Sequence, residues 1–314
     1  MVPQALVSVA VVGSGISGLI CAQTILQQVP GAKVSVFEWG RGPGGRTARR
    51  RVTVNGTGMS FDHAAPFFAA STQTFRDGIL KGWADRGLTA QWGGRFATFG
   101  ESGELLSADA ADVWVGVPTM HSICRALSDD VVASGGNMLF GRHVASTKFD
   151  GSTWRVSAHN RFAEEGLQHE ESTFDALVLS DKLLVLPNQY AVLPQADAGP
   201  LSLPPIASEP CVVLLVALDR SRLPSADGAC ITTWDVLAAH SVTASPGSAS
   251  KAGSSLPARL IVHQSTKPQR ELGEAPDVDL WTVHSGADFA AKHLREEVEG
   301  EAPSLVDDDV VKEE

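Results

Sequence analysis

The chain has 314 residues, 43% of them apolar, enough to bury a sizeable core in one large domain or two moderate ones. It has no apolar run of the roughly 18 residues that a membrane-spanning helix needs. The net charge of −11 is concentrated in residues 296–314, where nine Asp or Glu and one Lys give −8 and leave −3 for the other 295; no basic surface points to nucleic acid.

The apolar run 6–12 lacks the basic start and small-residue cleavage site of a signal peptide, and structure is expected almost from Met1. The cytoplasm is therefore the default compartment, with an organelle left open. Cys21, Cys124, Cys211 and Cys230 show no CxxC spacing and read as free thiols in a reducing compartment.

In chain order, residues 6–12 predict a buried strand, and Gly13-Ser14-Gly15-Ile16-Ser17-Gly18 a tight turn. Residues 17–28 carry Leu19, Ala22, Ile25 and Leu26 at helical spacing, and Pro30-Gly31 stops that helix. A second strand is expected over 33–38, completing a right-handed parallel βαβ unit. An Arg- and Gly-rich loop follows over 40–51, then a hairpin strand over 51–58. Residues 72–86 read as a helix with Phe75, Ile79, Leu80 and Trp83 on one face. A further helix is expected over 119–128 with Thr119 as its N-cap. Strands are predicted over 137–144, 146–150, 153–159 and 173–179, with Asp150-Gly151 marking a hairpin. The proline-rich stretch 195–210 reads as a crossing between domains, 211–218 as an apolar strand, and 241–257 as a flexible loop. Strands over 260–264 and 279–284, a helix over 289–297 and a solvated acidic tail complete the chain.

The turn sits between a strand and a helix, the context that a dinucleotide fingerprint requires. Gly13 permits the turn, Gly15 lets a pyrophosphate approach the backbone, and Gly18 lets helix and strand pack closely. The helix N-terminus, with Ser14, Ile16 and Ser17 in the turn, offers free N–H groups to phosphate. Glu38 ends the second strand 20 residues after Gly18, where its carboxylate can accept from ribose hydroxyls and repel a 2′-phosphate. The next segment, Glu38-Trp39-Gly40-Arg41-Gly42-Pro43-Gly44-Gly45-Arg46, favours FAD over NAD. A second glycine turn beside the first would bring Gly44, Gly45 and the Arg46 guanidinium to the pyrophosphate. A solvated basic loop is the alternative for Arg41, Arg46 and Arg49 to Arg51.

These motifs, with Arg49-Arg50 and Phe61-Asp62-His63-Ala64-Ala65-Pro66-Phe67-Phe68, resemble the renalase-like branch of the FAD-dependent amine oxidase superfamily. Gly116-Val117-Pro118-Thr119-Met120, Phe174 to Leu179 and Trp281-Thr282-Val283-His284-Ser285 add to the likeness. The resemblance implies an α/β fold. A Rossmann-type FAD-binding domain of the amine-oxidase-like type (1–70 and 119–190) would interleave with an α+β substrate domain on a mixed sheet (71–118 and 191–295). It also implies non-covalent FAD held by Gly13, Gly15, Gly18, Glu38 and Arg46, with Trp39 and Arg41 alongside. Val144 would offer backbone hydrogen bonds to adenine, and Ala64 and Ala65 would run beside the flavin. Asp62 and His63 become candidates for acid–base work; the alternatives are a turn cap and a satisfied structural histidine.

The implied reaction is hydride transfer from a small-molecule substrate to FAD, with O₂ as acceptor. Dihydronicotinamide isomers, with NAD(P)H itself as a candidate, are preferred to amines, because Tyr190 is the single tyrosine and an amine cage needs aromatic rings. The family closes its fold with a Gly-Asp segment and a Gly/Ala-rich helix, and nothing similar follows residues 281–285. The resemblance is therefore to a member that ends early, with a sheet face expected to be uncovered. A non-catalytic nucleotide-binding remnant is the second reading, and an NAD-dependent dehydrogenase or a scaffold acting through its acidic tail are further ones. No metal-ligand spacing and no GxSxG elbow are present.

Overall fold

The computed structural model describes residues 7–99, 104–108, 112–162, 168–181, 184, 209–222, 234–239, 257–270 and 277–294. Tyr190, Cys230, the 241–256 stretch, the 296–314 tail and most of the 195–210 crossing lie outside these residues. The chain divides into two compact units. One comprises the described residues of Met1–Arg49 and Thr119–Pro204, the other those of Arg50–Pro118 and Pro205–Glu314. Residues 50–70, grouped above with the nucleotide-binding part, fall in the second unit.

The first unit is built on a four-stranded parallel sheet, in the order Asn137–Phe140, Lys33–Glu38, Ser8–Val12, Ala176–Leu179. Val9, Ala10, Val11 and Val12 are all buried, as a central strand covered on both faces requires. The helix Ile16–Gln28 buries Gly18, Leu19 and Ala22, and packs on the helix His121–Ala133. That second helix buries Ile123, Cys124, Leu127, Ser128 and Val131, one face at helical spacing. It runs longer than the predicted 119–128. It is capped by Met120 with no side-chain bond, because Thr119 instead supplies its carbonyl to the Ser122 N–H at 3.0 Å.

Two expected strands each divide. Residues 137–144 leave the parallel sheet at Gly141, whose φ of +69° turns the chain into Arg142–Phe149. Residues 173–179 divide at Asp175, whose carboxylate accepts from the Ser8 N–H and hydroxyl, both at 2.7 Å. The strands released in this way, Arg142–Phe149 and Gln168–Phe174, flank Trp154–Asn160 in an antiparallel sheet. The expected Asp150-Gly151 turn joins its first two strands: Asp150 accepts from the N–H groups of Ser152 and Thr153, and Gly151 has φ +100°.

The second unit carries a mixed six-stranded sheet, in the order Val213–Asp219, Val278–Ser285, Ala258–His263, Val236–Ala238, Phe96–Phe99, Leu105–Ala108. Only Val236–Ala238 and Phe96–Phe99 pair in parallel. The single hairpin strand expected over 51–58 is a two-stranded hairpin, Arg49–Val54 and Thr57–Asp62, turning at Asn55-Gly56 with φ +50° and +81°. Its Met59 and Phe61 pack on Leu280. The predicted 72–86 helix holds a π-helical stretch, Arg76–Leu80, between Gln73–Phe75 and Lys81–Asp85. Phe68, Phe75 and Trp83 meet edge to face around it, with centroids 5.9–6.3 Å apart.

Candidate functional site

The candidate site forms in the first unit at the carboxyl ends of Ser8–Val12, Lys33–Glu38 and Ala176–Leu179, where open parallel sheets bind ligands. Gly13 turns the chain with φ +100°, and its N–H donates to the Phe37 carbonyl at 2.8 Å. A Cβ on Gly18 would stand 2.1 Å from the Gly13 carbonyl oxygen, so helix and turn touch as only glycine allows. A Cβ on Gly15 would meet nothing within 4 Å. Gly15 is the N-cap and brings no side-chain cap; the Leu19 N–H is bonded to the Gly15 carbonyl at 3.0 Å. The N–H groups of Ile16, Ser17 and Gly18 come before that first helical bond, at the positive end of the helix; Ile16 and Ser17 line open space, while Gly18 is buried against Gly13.

The second glycine turn docks on the first. The Gly44 N–H donates to the Ser14 carbonyl at 3.0 Å, and a Cβ on Gly45 would lie 3.4 Å from Gly15 Cα. Thr47 steadies this turn through its hydroxyl to the Gly44 carbonyl at 2.7 Å, backed by the buried Cys124 Sγ at 3.1 Å. Burial pushes the Cys124 thiol up to about 11, so it serves as packing and not as a nucleophile. Glu38 joins the two turns. Its carboxylate accepts from the Ser14 N–H at 3.0 Å, from the Ser14 hydroxyl, and from the Gly40 N–H at 2.6 Å.

Two chambers meet at Gly13, Glu38 and Asp181. One, about 240 Å³, is lined by residues 13–17 and 44–47 with Ser180 and carries the free helix amides. The Arg46 guanidinium beside it is mostly exposed and lies 3.8 Å from Asp181. The other, about 260 Å³, is walled by Val12, Phe37, Trp39, His143, Val144 and Leu184. Val144 is buried beside a break in strand register, and Trp39 and His143 rings lie 4.7 Å apart. The Arg161 guanidinium sits 4.7 Å from the Trp39 ring, and exposed Arg41 covers Phe162 at 4.6 Å. Burial, with His159 and Arg161 nearby, lowers the His143 pKa. An amide-rich chamber and an apolar chamber thus meet at the Glu38 carboxylate.

The other predicted residues lie in the second unit. Ala64 is exposed, while Ala65 and His63 are half-buried. Asp62 is buried and committed: Lys267 Nζ donates to it at 2.9 Å and Arg270 at 2.6 Å. Burial alone would raise the Asp62 pKa; the two cations outweigh it and hold the carboxyl below its ordinary value. Lys267 also donates to Gln264 at 2.8 Å, Gln264 reaches Thr282 at 2.8 Å, and Arg270 donates to the Ser60 carbonyl at 2.7 Å. This gives Asp62 a structural task, tying the end of its strand to residues 264–270. His284, buried near Arg259 and His63, is pushed down to about 4.

Sequence reasoning missed Ser180, Asp181, His143, Arg161, Lys267 and Arg270. Ser180 and Asp181 carried a usable signal, since they follow a predicted strand of the parallel sheet. Lys267 and Arg270 carried none, because their partner lies about 200 positions away. Among the described residues no group of three or more His, Cys, Asp or Glu could hold a metal, and no helix is long and apolar enough to cross a membrane.

Comparison with known proteins fits this geometry. Residues 11–78 match the NAD(P)-binding Rossmann-like domain family. The chain is similar in fold to solved structures, among them these two. A protein of Exiguobacterium sp. 255-15, provisionally assigned as a protoporphyrinogen oxidase, aligns with TM-score 0.57 at 10% identity, over 90% of this chain and 77% of that one. The PF1083 protein of Pyrococcus furiosus aligns with TM-score 0.55 at 12% identity, over 91% and 81%. The fold is thus a Rossmann-like α/β fold with several sheets.

Proposed function

We propose that this chain is an FAD-dependent oxidoreductase that takes hydride from a small reduced substrate. The observation that carries the reading is the docking of the Gly44-Gly45 turn onto the Ser14-Gly15 turn, with Glu38 bonded to Ser14 and Gly40. A nicotinamide dinucleotide needs the first turn alone; a second turn adds amides and Arg46 beside the same phosphates. FAD, when bound, supplies the ring that accepts hydride and passes electrons to O₂.

In this reading the amides of residues 16 and 17 would face the pyrophosphate, Arg46 would pair with it, and Glu38 would accept from the ribose. Val12, Phe37 and Val144 would exclude water from the adenine, with Trp39 and Arg41 alongside. Asp62 receives no acid–base role, since its carboxylate is already paired with two cations. The renalase-like resemblance and the single tyrosine favour dihydronicotinamide isomers as substrate over amines. Anaerobic mixing of FAD-loaded protein with dihydronicotinamide isomers tests the proposal. The flavin absorption should bleach and return on adding O₂, while benzylamine should leave it unchanged. Bound flavin that neither class reduces would refute the oxidoreductase reading while leaving FAD binding intact.

A further inference from the structure

We infer that Ser14 sets how this site reads the adenosine ribose: its hydroxyl occupies an acceptor position on Glu38 that a ribose diol would otherwise use. The inference rests on the dinucleotide reading above and adds a specificity to it. An ionised carboxylate has two oxygens and about four acceptor positions. On one oxygen of Glu38 sit the Ser14 N–H, at 3.0 Å, and the Ser14 hydroxyl. On the other sits the Gly40 N–H, at 2.6 Å. Three positions are taken, and a ribose brings two hydroxyls.

The two amides cannot give way. Ser14 is fixed by the turn, with its own carbonyl holding the Gly44 N–H at 3.0 Å. Gly40 approaches so closely that a Cβ there would lie 3.0 Å from the Glu38 oxygen. Only the Ser14 hydroxyl can rotate. Ser14 is fully buried, so a hydroxyl turned off Glu38 loses a charge-assisted bond inside the protein. Keeping that bond leaves one position open, and Glu38 then holds one ribose hydroxyl and not two. The site is accordingly tolerant of adenine nucleotides that lack the other hydroxyl.

Calorimetric titration of the full chain with ADP, 2′-deoxy-ADP and 3′-deoxy-ADP, for the natural protein and Ser14→Ala, tests this. In the natural protein one deoxy nucleotide should bind within about twofold of ADP. In Ser14→Ala the freed position should tighten ADP by roughly tenfold or more, the size of one hydrogen bond to a charged group after its exchange with water. Both deoxy forms should then bind about fivefold or more weaker than ADP. Natural protein that loses about fivefold on removal of either hydroxyl would overturn the inference, as would a Ser14→Ala pattern identical to the natural one. The natural-protein comparison decides alone if the variant does not fold. ADP that binds neither protein would overturn the dinucleotide reading itself, and the inference with it.

Discussion

Gly15 and Gly18 are three residues apart in one motif, yet alanine at each should act in opposite ways. At Gly18 the added Cβ would stand 2.1 Å from the Gly13 carbonyl oxygen and 3.2 Å from its carbon. Both partners are backbone, and Gly13 is held by its bond to Phe37 at 2.8 Å, so the helix must shift by about an ångström. Overpacking of this kind costs about 1–3 kcal/mol, and the rigid partners place Gly18→Ala near the upper end. At Gly15 the Cβ meets nothing within 4 Å and φ is −72°, which alanine adopts freely. Reduced freedom of the unfolded chain favours Gly15→Ala by about 0.4–1 kcal/mol. Alanine is a poorer N-cap than glycine by a similar amount, so the two effects cancel to within about 0.5 kcal/mol. The new methyl would, however, fill the space through which phosphate reaches the helix amides. Urea unfolding of the ligand-free proteins and FAD titration separate the two effects. Gly15→Ala should keep its stability and lose at least about tenfold in affinity; Gly18→Ala should lose stability first. A Gly15→Ala protein that binds FAD as tightly as the natural one would refute the placement of the phosphates.

Further outcomes follow from the second unit. Asp62→Asn leaves Lys267 and Arg270 buried without a counter-ion and should cost about 3–5 kcal/mol, whereas Lys267→Met retains the Asp62–Arg270 pair and should cost clearly less. Equal losses in urea unfolding would show that charge balance is not what the cluster supplies. Burial pushes Lys267 down to about 8 despite Asp62, from an ordinary 10.5, so the unfolded chain binds more protons between those values. Stability should rise with pH through that window, and Lys267→Met should lack the rise. His284, pushed down to about 4 by burial, from 6.5, should contribute full stability above pH 6.5 and lose it toward pH 4. The loss amounts to about 3 kcal/mol. Thermal melts of natural protein and His284→Leu across that range check it, and parallel curves would count against the assignment.

The two glycine turns and the Glu38 strand end were legible because these parts are local. Gly13, Gly15 and Gly18 stand in one turn, and Glu38 closes the next strand, so short-range sterics and hydropathy place them. The strands around residues 137–149 and 168–179 were legible as extended chain but not as members of two sheets. Gly141 and Asp175 make each change of sheet, and an apolar run does not record which neighbour it will pair with. The Asp62 cluster was illegible for a different reason. Its members meet only after a long excursion of the chain, and an isolated aspartate beside a histidine reads equally as catalyst, cap or ion-pair partner. Ser14 was legible as part of the turn, while its bond to Glu38 needed the strand and turn to be placed together.

The visible absorption spectrum of the purified chain tests most directly whether the two glycine turns hold one pyrophosphate between them. The protein should be yellow, or become yellow after incubation with FAD and stay so through gel filtration, releasing unmodified FAD on denaturation. A protein that remains colourless after that treatment, or that retains NAD in place of FAD, would contradict FAD binding at the paired turns.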